Sequence, residues 1–435
     1  MLSFFASQEK KMRDNAANWL EIADKVWHFR RDLLNERESS ELLKRRDELR
    51  QQLKAKADAG KLKLSIETLE GVLRRTGGAI YPKTSLVENV EFFLVAAIVI
   101  LGIRTYFVQP FKIPTNSMWP SYYGMTPEVF AKPADEPGAL KKIGRLLAFG
   151  AWPHRLDAPT DGEVLIPIGG SGNRGMIHSR TVSGRSWLVF PTALREYTIL
   201  VNDQPVTVRV PADFDFDWTI YEAFFSHGEK YTAMRFNEAL RSRIEAQQFV
   251  TTTVDGEELR CVRTGHFVLK GERVLAFDEL TGDQLFVDRM SYHFVRPTVG
   301  SGFVFRTDRI HSPYMIDPNT GQQIEQYYVK RLVGLPGDIL KIKGTQLYRN
   351  GAPITGASAF ESNARQLGNY PGYQAVGLLA AGKQVEVGPD EFFALGDNSI
   401  SSLDGRYWGF VPKNDAVGRP LFVYYPFTRR WGPAR

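Results

Sequence analysis

Residues 90–120 read VEFFLVAAIVILGIRTYFVQPFKIPTNSMWP, and their reading decides how the rest of the chain is organised. Val90 to Val108 would reach about 28 Å as a helix, enough to cross a bilayer core. The run Phe92–Ile103 has no charge, unlike most buried helices of soluble domains, and some ninety residues precede it, which argues against a cleaved leader. Glu91 and Arg104 sit near opposite ends, where long side chains reach the headgroups. A transmembrane helix is therefore expected over 87–108, and a Ser between two prolines, Ser117, follows shortly after its exit.

Working outward toward the N-terminus, residues 9–75 carry a helical pattern. Trp19, Ile22, Val26, Phe29 and Leu33 step by three and four, the face breaks near Ser39–Ser40, and Leu42, Leu49 and Leu53 resume it. Leu62, Ile66, Leu69 and Leu73 make a third piece before Thr76-Gly77-Gly78 and Pro82. A two- or three-helix hairpin and a self-associating stalk both fit. Residues 1–86 hold 18 Lys/Arg against 13 Asp/Glu, so five of the six net positive charges lie there. Basic charge before a span suits a cytoplasmic face against anionic lipid rather than nucleic acid. The flanking cations alone bias orientation weakly. A charged N-terminal segment without a secretory signal would stay cytoplasmic, leaving 109–435 outside.

Beyond Pro110 the texture changes to short apolar or alternating runs punctuated by Gly, Pro, Asn and Asp, as in Tyr197–Val201 and Val206–Val210 around Asn202-Asp203. Tyr327–Val333, Ile339–Ile342 and Leu421–Tyr425 read the same way. Helical patterns are few, the best being Trp218–Phe225 and Phe236–Gln247. A mainly β, antiparallel region is expected here. Cys261 is the only cysteine, so neither an intrachain disulfide nor a four-cysteine zinc site is possible. The seven histidines show no ligand spacing, and no metal is expected.

Chemistry is concentrated in two places. Ser117 needs a base, because a hydroxyl is a weak nucleophile at neutral pH, and no histidine stands in a serine-protease setting. Lys330 lies in Tyr327–Asp338, where strand alternation puts Tyr328, Lys330 and Leu332 on one face. Among such neighbours desolvation would lower the amine's pKa and let it take a proton. From the residues alone, a turn serine and a solvated strand lysine remain open.

With four blocks taken together, the chain resembles the bacterial type I signal peptidases, Ser/Lys proteases of the cytoplasmic membrane. The blocks are F-x-I-P-x-x-S-M-x-P at 111–120; Gly282-Asp283 through Val287, Arg289 and Tyr292 to Gly300–Phe305; Y-V-K-R-L-V-G-L-P-G-D at 328–338; and Gly396–Pro412, which includes Asp397, Ser402, Asp404 and Arg406. The resemblance implies that Ser117 attacks the scissile carbonyl while Lys330 takes its proton. Ser402 would orient the lysine by a hydrogen bond. Thr115, where the family usually has Ser, would join the Ser117 backbone N–H in the oxyanion hole. Asp404 and Arg406 would form a buried pair, with Asp397 in the same supporting turn. Phe111, Ile113, Met118 and Val329 would surround shallow pockets for small residues before the cut, of the Ala-X-Ala kind.

The implied division is 1–86 helical and cytoplasmic, 87–108 transmembrane, 109–123 nucleophile segment, 124–281 inserted domain, and 282–435 main β catalytic domain. The implied partners are signal peptides of exported preproteins and membrane lipid, near the export translocon, with no cofactor and neither nucleic acid nor nucleotide. The chain departs from the family pattern at Thr115, at Asn116 in place of a usual Gly, in Ser399–Ser401, and above all in the long insertion between Pro120 and Gly282. Gly377–Gln384 approaches a P-loop but has Gln384 where a hydroxyl should hold magnesium. Two rival readings are a self-cleaving repressor-type Ser/Lys peptidase, which would lack the span and the last block, and a non-catalytic membrane scaffold.

Overall fold

The computed structural model describes residues 8–169, 176–186, 190–317 and 321–434. The chain forms two compact units, Met1–Leu101 and Gly102–Arg435, whose boundary falls within one long helix.

In the first unit, helices Gln8–Arg30, Glu36–Lys54 and Ala59–Thr76 share one core. Asn35 starts the second helix as a full capping box with Glu38, and Asp58 caps the third through the Gly60 and Lys61 amides. The sequence-expected stripe is only partly right. Val26 is buried, but Phe29 is 76% exposed and Leu33 is exposed as well; the helix ends at Arg30, and Ala16, Leu20 and Ala23 do the packing instead. Small alanines let the first helix approach closely, which a search for large apolar residues overlooks. A three-helix arrangement thus accounts for the segment. Asp24 bridges to Arg46 and Arg50 between the first two helices.

Ser85–Tyr106 is a 22-residue helix with none of its residues buried, long and apolar enough to cross a membrane. At 1.5 Å per residue it reaches about 33 Å. It stops before Val108 because that residue already pairs, opposite Asp288, in a strand.

Among the described residues, the second unit contains four sheets, all antiparallel. The largest runs, in spatial order, Val108–Lys112, Gln284–Asp288, Ala416–Tyr425, Gly302–Arg306, Tyr327–Gly334, Glu391–Leu395 and Val411–Pro412, with Gly432–Pro433 pairing the long Ala416–Tyr425 strand. One face buries Ile113, Met118, Leu285, Val287, Val304 and Val423. The other buries Phe303, Phe305, Leu332, Ala394 and Trp408. A four-stranded sheet built on Ile339–Lys343 extends this region around Val333, Leu340, Phe360 and Phe393. The mainly β expectation is correct.

Residues between Tyr123 and Gly282 form a six-stranded sheet and a three-stranded sheet closed over helices Phe216–Phe224 and Ala233–Glu245 around a core of their own. The expected hairpin forms: Phe190–Val201 pairs with Gln204–Pro211 through a turn in which Asn202 takes φ 56°. This region leaves the large sheet after Lys112 and returns at Gln284, which pairs directly with Lys112. Gly282 makes the return possible, since a Cβ there would lie 1.8 Å from the Ile113 carbonyl oxygen.

Candidate active site

The Ile113–Pro120 segment needs a conformation that presents one hydroxyl while its neighbours stay anchored. Ile113 is tied to the sheet through Asp283 (2.9 Å), and residues Asn116–Met118 then form one 3-10 turn. Met118, almost fully buried, pins the turn to the core, leaving Ser117 half-exposed. Two further grips hold the backbone on either side. The Asn398 amide donates to the Ser117 carbonyl at 3.0 Å, and Asn398 Nδ2 donates to the Asn116 carbonyl at 3.0 Å. The Asn116 side chain donates to the Met125 carbonyl (2.8 Å) and accepts from the Gly124 amide (3.0 Å).

Lys330 comes from the middle of a central strand, paired with Phe303 and two residues beyond Tyr328. Its side chain reaches back to Ser117, with Nζ 2.5 Å from Oγ across 213 residues of sequence. Lys330 is only 4% exposed, beside Leu332 and with its Nζ 5.6 Å from the centre of the Tyr328 ring. Burial dominates its titration and pulls the ammonium down to about 8; Asp404 and Asp397 oppose this, and Arg406 reinforces it. The amine therefore combines hydrogen-bond reach to a hydroxyl with a pKa near neutrality, the two requirements of a general base.

The charges around it are paired. Arg331, one residue along and facing the opposite way, places Nε 2.8 Å from Asp397 Oδ1 and Nη2 2.5 Å from Oδ2, and donates through Nη1 to the Gly300 carbonyl at 2.6 Å. Ser121 donates to the same aspartate and accepts from Arg331. Arg406 and Asp404 form a second buried pair, with Nε and Nη2 each 2.8 Å from a carboxylate oxygen. Arg406 also holds Ser399 through the hydroxyl (2.6 Å) and the carbonyl (2.8 Å), while Asp404 accepts from the Gly396 amide at 2.9 Å. Asp397, in the supporting turn, has a partner of its own in Arg331, which the sequence reading passed over. Alternation could have found it, because a residue next to an inward lysine must point into the other core and needs a counter-ion there.

The remaining sequence-derived residues divide. Ser402 is buried, but its hydroxyl makes no hydrogen bond, so the expected bond to the Lys330 amine is not formed. It lies against Gly396, where a Cβ would come within 2.1 Å of Ser402 Oγ and 2.5 Å of the Ser117 carbonyl oxygen. That glycine separates the two serines by the thickness of a backbone. Thr115 is exposed at the start of the 3-10 turn, with no capping bond from its side chain. Ile113 and Met118 are buried and Phe111 and Val329 half-buried, all in one cluster, with the Phe111 ring 5.1 Å from that of Tyr327. Of the four, Phe111 and Val329 are open enough to meet a ligand directly. The near P-loop is a short turn in which a Cβ on Gly377 would lie 2.1 Å from the Arg406 carbonyl oxygen, so this glycine serves loop packing.

Asp283 was quoted only as part of a motif, yet it joins several elements. It accepts from Arg430 through both oxygens and from the Tyr123 amide at 2.9 Å, and its own amide donates to the Tyr123 carbonyl. The Arg430 guanidinium lies 3.6 Å from the Tyr123 ring centre.

Residues 276–425 match the family model described as signal peptidase, peptidase S26, a range that contains Lys330, Asp397, Ser402, Asp404 and Arg406 and begins well after Ser117. A probable signal peptidase I-1 of Synechocystis is 32% identical over 151 residues, covering 35% of this chain and 66% of that protein. The chain therefore spans just under two thirds of that relative's length. A signal peptidase I of Bacillus caldolyticus is 31% identical over 172 residues, covering 39% of this chain and 85% of that protein. A solved signal peptidase I from Enterococcus faecalis is 24% identical, with a TM-score of 0.22, covering 29% of this chain and 97% of that one.

Proposed function

The chain belongs to the signal peptidase I family of peptidase S26, and from that premise we propose that it is a membrane-anchored serine endopeptidase that removes signal peptides from exported preproteins. The observation that carries this reading is the 2.5 Å approach of a buried amine to the Ser117 hydroxyl.

The mechanism follows from the geometry. Neutral Lys330 takes the Ser117 proton as Oγ attacks the scissile carbonyl, and the resulting ammonium returns a proton to the leaving amine. Water then attacks the acyl-enzyme with Lys330 again as base. The Ser117 backbone N–H and the exposed Thr115 hydroxyl receive the oxyanion. Arg331–Asp397 and Arg406–Asp404 hold the Gly396–Asn398 segment that contacts the Ser117 carbonyl, and because each charge has a partner they leave the amine's desolvation largely uncancelled. Ser402, buried beside Gly396 with its hydroxyl unpartnered, makes no bond to the amine and takes no part in these steps. Phe111 and Val329, floored by Ile113 and Met118, favour small residues before the cut, as in Ala-X-Ala.

In this reading helix Ser85–Tyr106, long and apolar enough to cross a membrane, anchors the chain in the cytoplasmic membrane, with 1–86 inside and the catalytic region outside. A signal peptide in the same bilayer is confined to two dimensions, which raises its effective concentration at Ser117.

The test is cleavage of a preprotein by wild type, Ser117→Ala and Lys330→Ala in detergent, with the product N-terminus sequenced. Wild type should cut after an Ala-X-Ala stretch, and a Leu in place of the last Ala should block the cut. Equal activity in all three proteins would overturn the proposal.

A further inference from the structure

Helix Ala139–Phe149, within the inserted region, is built inside out. A helix on a soluble domain turns its apolar stripe toward the core and its charges toward water. Here Leu140 is 87% exposed and Leu147 70%, with Ile143 and Leu146 also exposed, and none of the helix's residues is buried. These four leucine and isoleucine side chains lie at i, i+3, i+6 and i+7, on a single face. The inward arc carries charge: Arg145 donates to Asp278 at 2.8 Å and to Glu128 at 2.6 Å, and Lys142 is half-buried. An ion-paired arginine therefore clamps the helix to the domain with its greasy face outward.

Two exposed aromatic residues lie on segments next to this helix. Trp152, more than half exposed, follows the Gly150 cap, and Phe427, equally exposed, donates its amide to the Ala148 carbonyl at 2.9 Å. The Tyr425 hydroxyl adds bonds to the Leu146 and Leu147 carbonyls, both at 3.2 Å. Tyr425 pairs with Gln284, and Gln284 pairs with Lys112 in the strand that begins directly after the membrane-crossing helix. The C-terminal turn of Ala139–Phe149 is thus tied, through Tyr425, to the same sheet at the level of Lys112, the end of that strand away from the membrane-crossing helix.

We propose that Ala139–Phe149 is an interfacial helix that seats the catalytic unit on an anionic bilayer surface, its leucine face among the acyl chains and Trp152 and Phe427 at headgroup level. Charge selects lipid as the occupant. The helix holds three cations and no acid, and with Arg145 neutralised by Asp278 and Glu128 and Lys142 on the inward arc, the exposed Lys141 remains to meet lipid phosphates. Aromatic rings beside an apolar helical face are the usual composition of a membrane interface. The inference rests on the membrane-anchored reading above, and it adds a second point of attachment that would fix the height of Ser117 over the bilayer.

The test uses the full chain reconstituted in phosphatidylglycerol/phosphatidylethanolamine vesicles. In a Cys261→Ser background, a nitroxide is placed at Ile143→Cys or, as a water-facing control, at Lys383→Cys. The label at 143 should be several-fold more accessible to oxygen than to a water-soluble nickel chelate, with the reverse order at 383. Equal nickel accessibility at both positions would overturn the proposal. So would shielding of position 143 from both reagents, which would mean that protein covers the face. In parallel, the variant Leu140→Ser/Ile143→Ser/Leu147→Ser should cleave a short soluble peptide normally while its KM for a vesicle-embedded preprotein rises about tenfold. Unchanged KM on vesicles would count against the interfacial helix alone, whereas a wild type that cleaves neither substrate would count against the peptidase reading itself.

Discussion

The acidic limb of the pH–rate profile should report Lys330 and no other group. Burial lowers its pKa from 10.5 to about 8. At pH 7 roughly a tenth of the molecules then carry the free amine, against about three in ten thousand for a solvated lysine, so desolvation makes the base about 300-fold more available. The sign follows directly: protonation removes the base, so kcat/KM should fall about tenfold per pH unit below 7 and level off above about 8.5. The assay is hydrolysis of a soluble internally quenched peptide by the detergent-solubilised full chain from pH 5.5 to 10. Lys330→Arg, which keeps the charge and length but cannot deprotonate in this range, should lose about a thousandfold or more at every pH and show no limb. A wild-type limb centred near 6.5, or one that persists in Lys330→Arg, would refute the assignment of Lys330 as base.

Burial of the amine also carries a stability cost. A lysine whose folded pKa is depressed holds fewer protons than the unfolded chain between about pH 8 and 10.5, so stability rises with pH through that window. Lys330→Met should therefore raise the unfolding free energy at pH 7, by up to about 3 kcal/mol less about 1 for the lost bond to Ser117, and with it the thermal midpoint, the gain shrinking toward pH 10.5; a lower midpoint at pH 7 would contradict the desolvation argument. Arg331→Met or Asp397→Leu alone strands a buried charge and should cost about 3–5 kcal/mol by urea unfolding, while the double change should cost much less. Equal losses in singles and double would show that the pair is not the unit. Gly396→Ala pushes a methyl into the Ser117 carbonyl and should lower kcat about a hundredfold with little change in KM; wild-type kcat would mean that the loop gives way freely. Asn116→Gly removes both bonds to Gly124 and Met125 and should cut kcat several-fold, which a kcat within twofold of wild type would disprove.

Much of this protein was legible in linear order because the deciding signals are local. A long uncharged run announces a helix with nowhere to bury its sides, Asn202-Asp203 announces a hairpin, and alternation around Lys330 places its amine among Tyr328 and Leu332. Where the reading went astray, the deciding partner lay far along the chain. Phe29 and Leu33 have the spacing of a core stripe, but the helix ends at Arg30 and the smaller Ala16 and Ala23 meet the neighbouring helices. Asp397 is read from sequence only as part of the supporting turn, and its partner, Arg331, lies 66 residues away. Ser402 was assigned to the amine by resemblance, but its buried hydroxyl makes no hydrogen bond.

The division has a physical basis. Sequence alone determined the helical N-terminal segment, the apolar helix and the β texture, since propensity and periodicity are properties of neighbours in the chain. Tertiary structure alone decided that a hydroxyl and an amine 213 residues apart come within 2.5 Å, which carboxylate answers which arginine, and that one amphipathic helix turns its leucines outward. Those outcomes depend on strand register and close packing, where shifts of a few ångströms change partners, and no local pattern encodes distances of that kind.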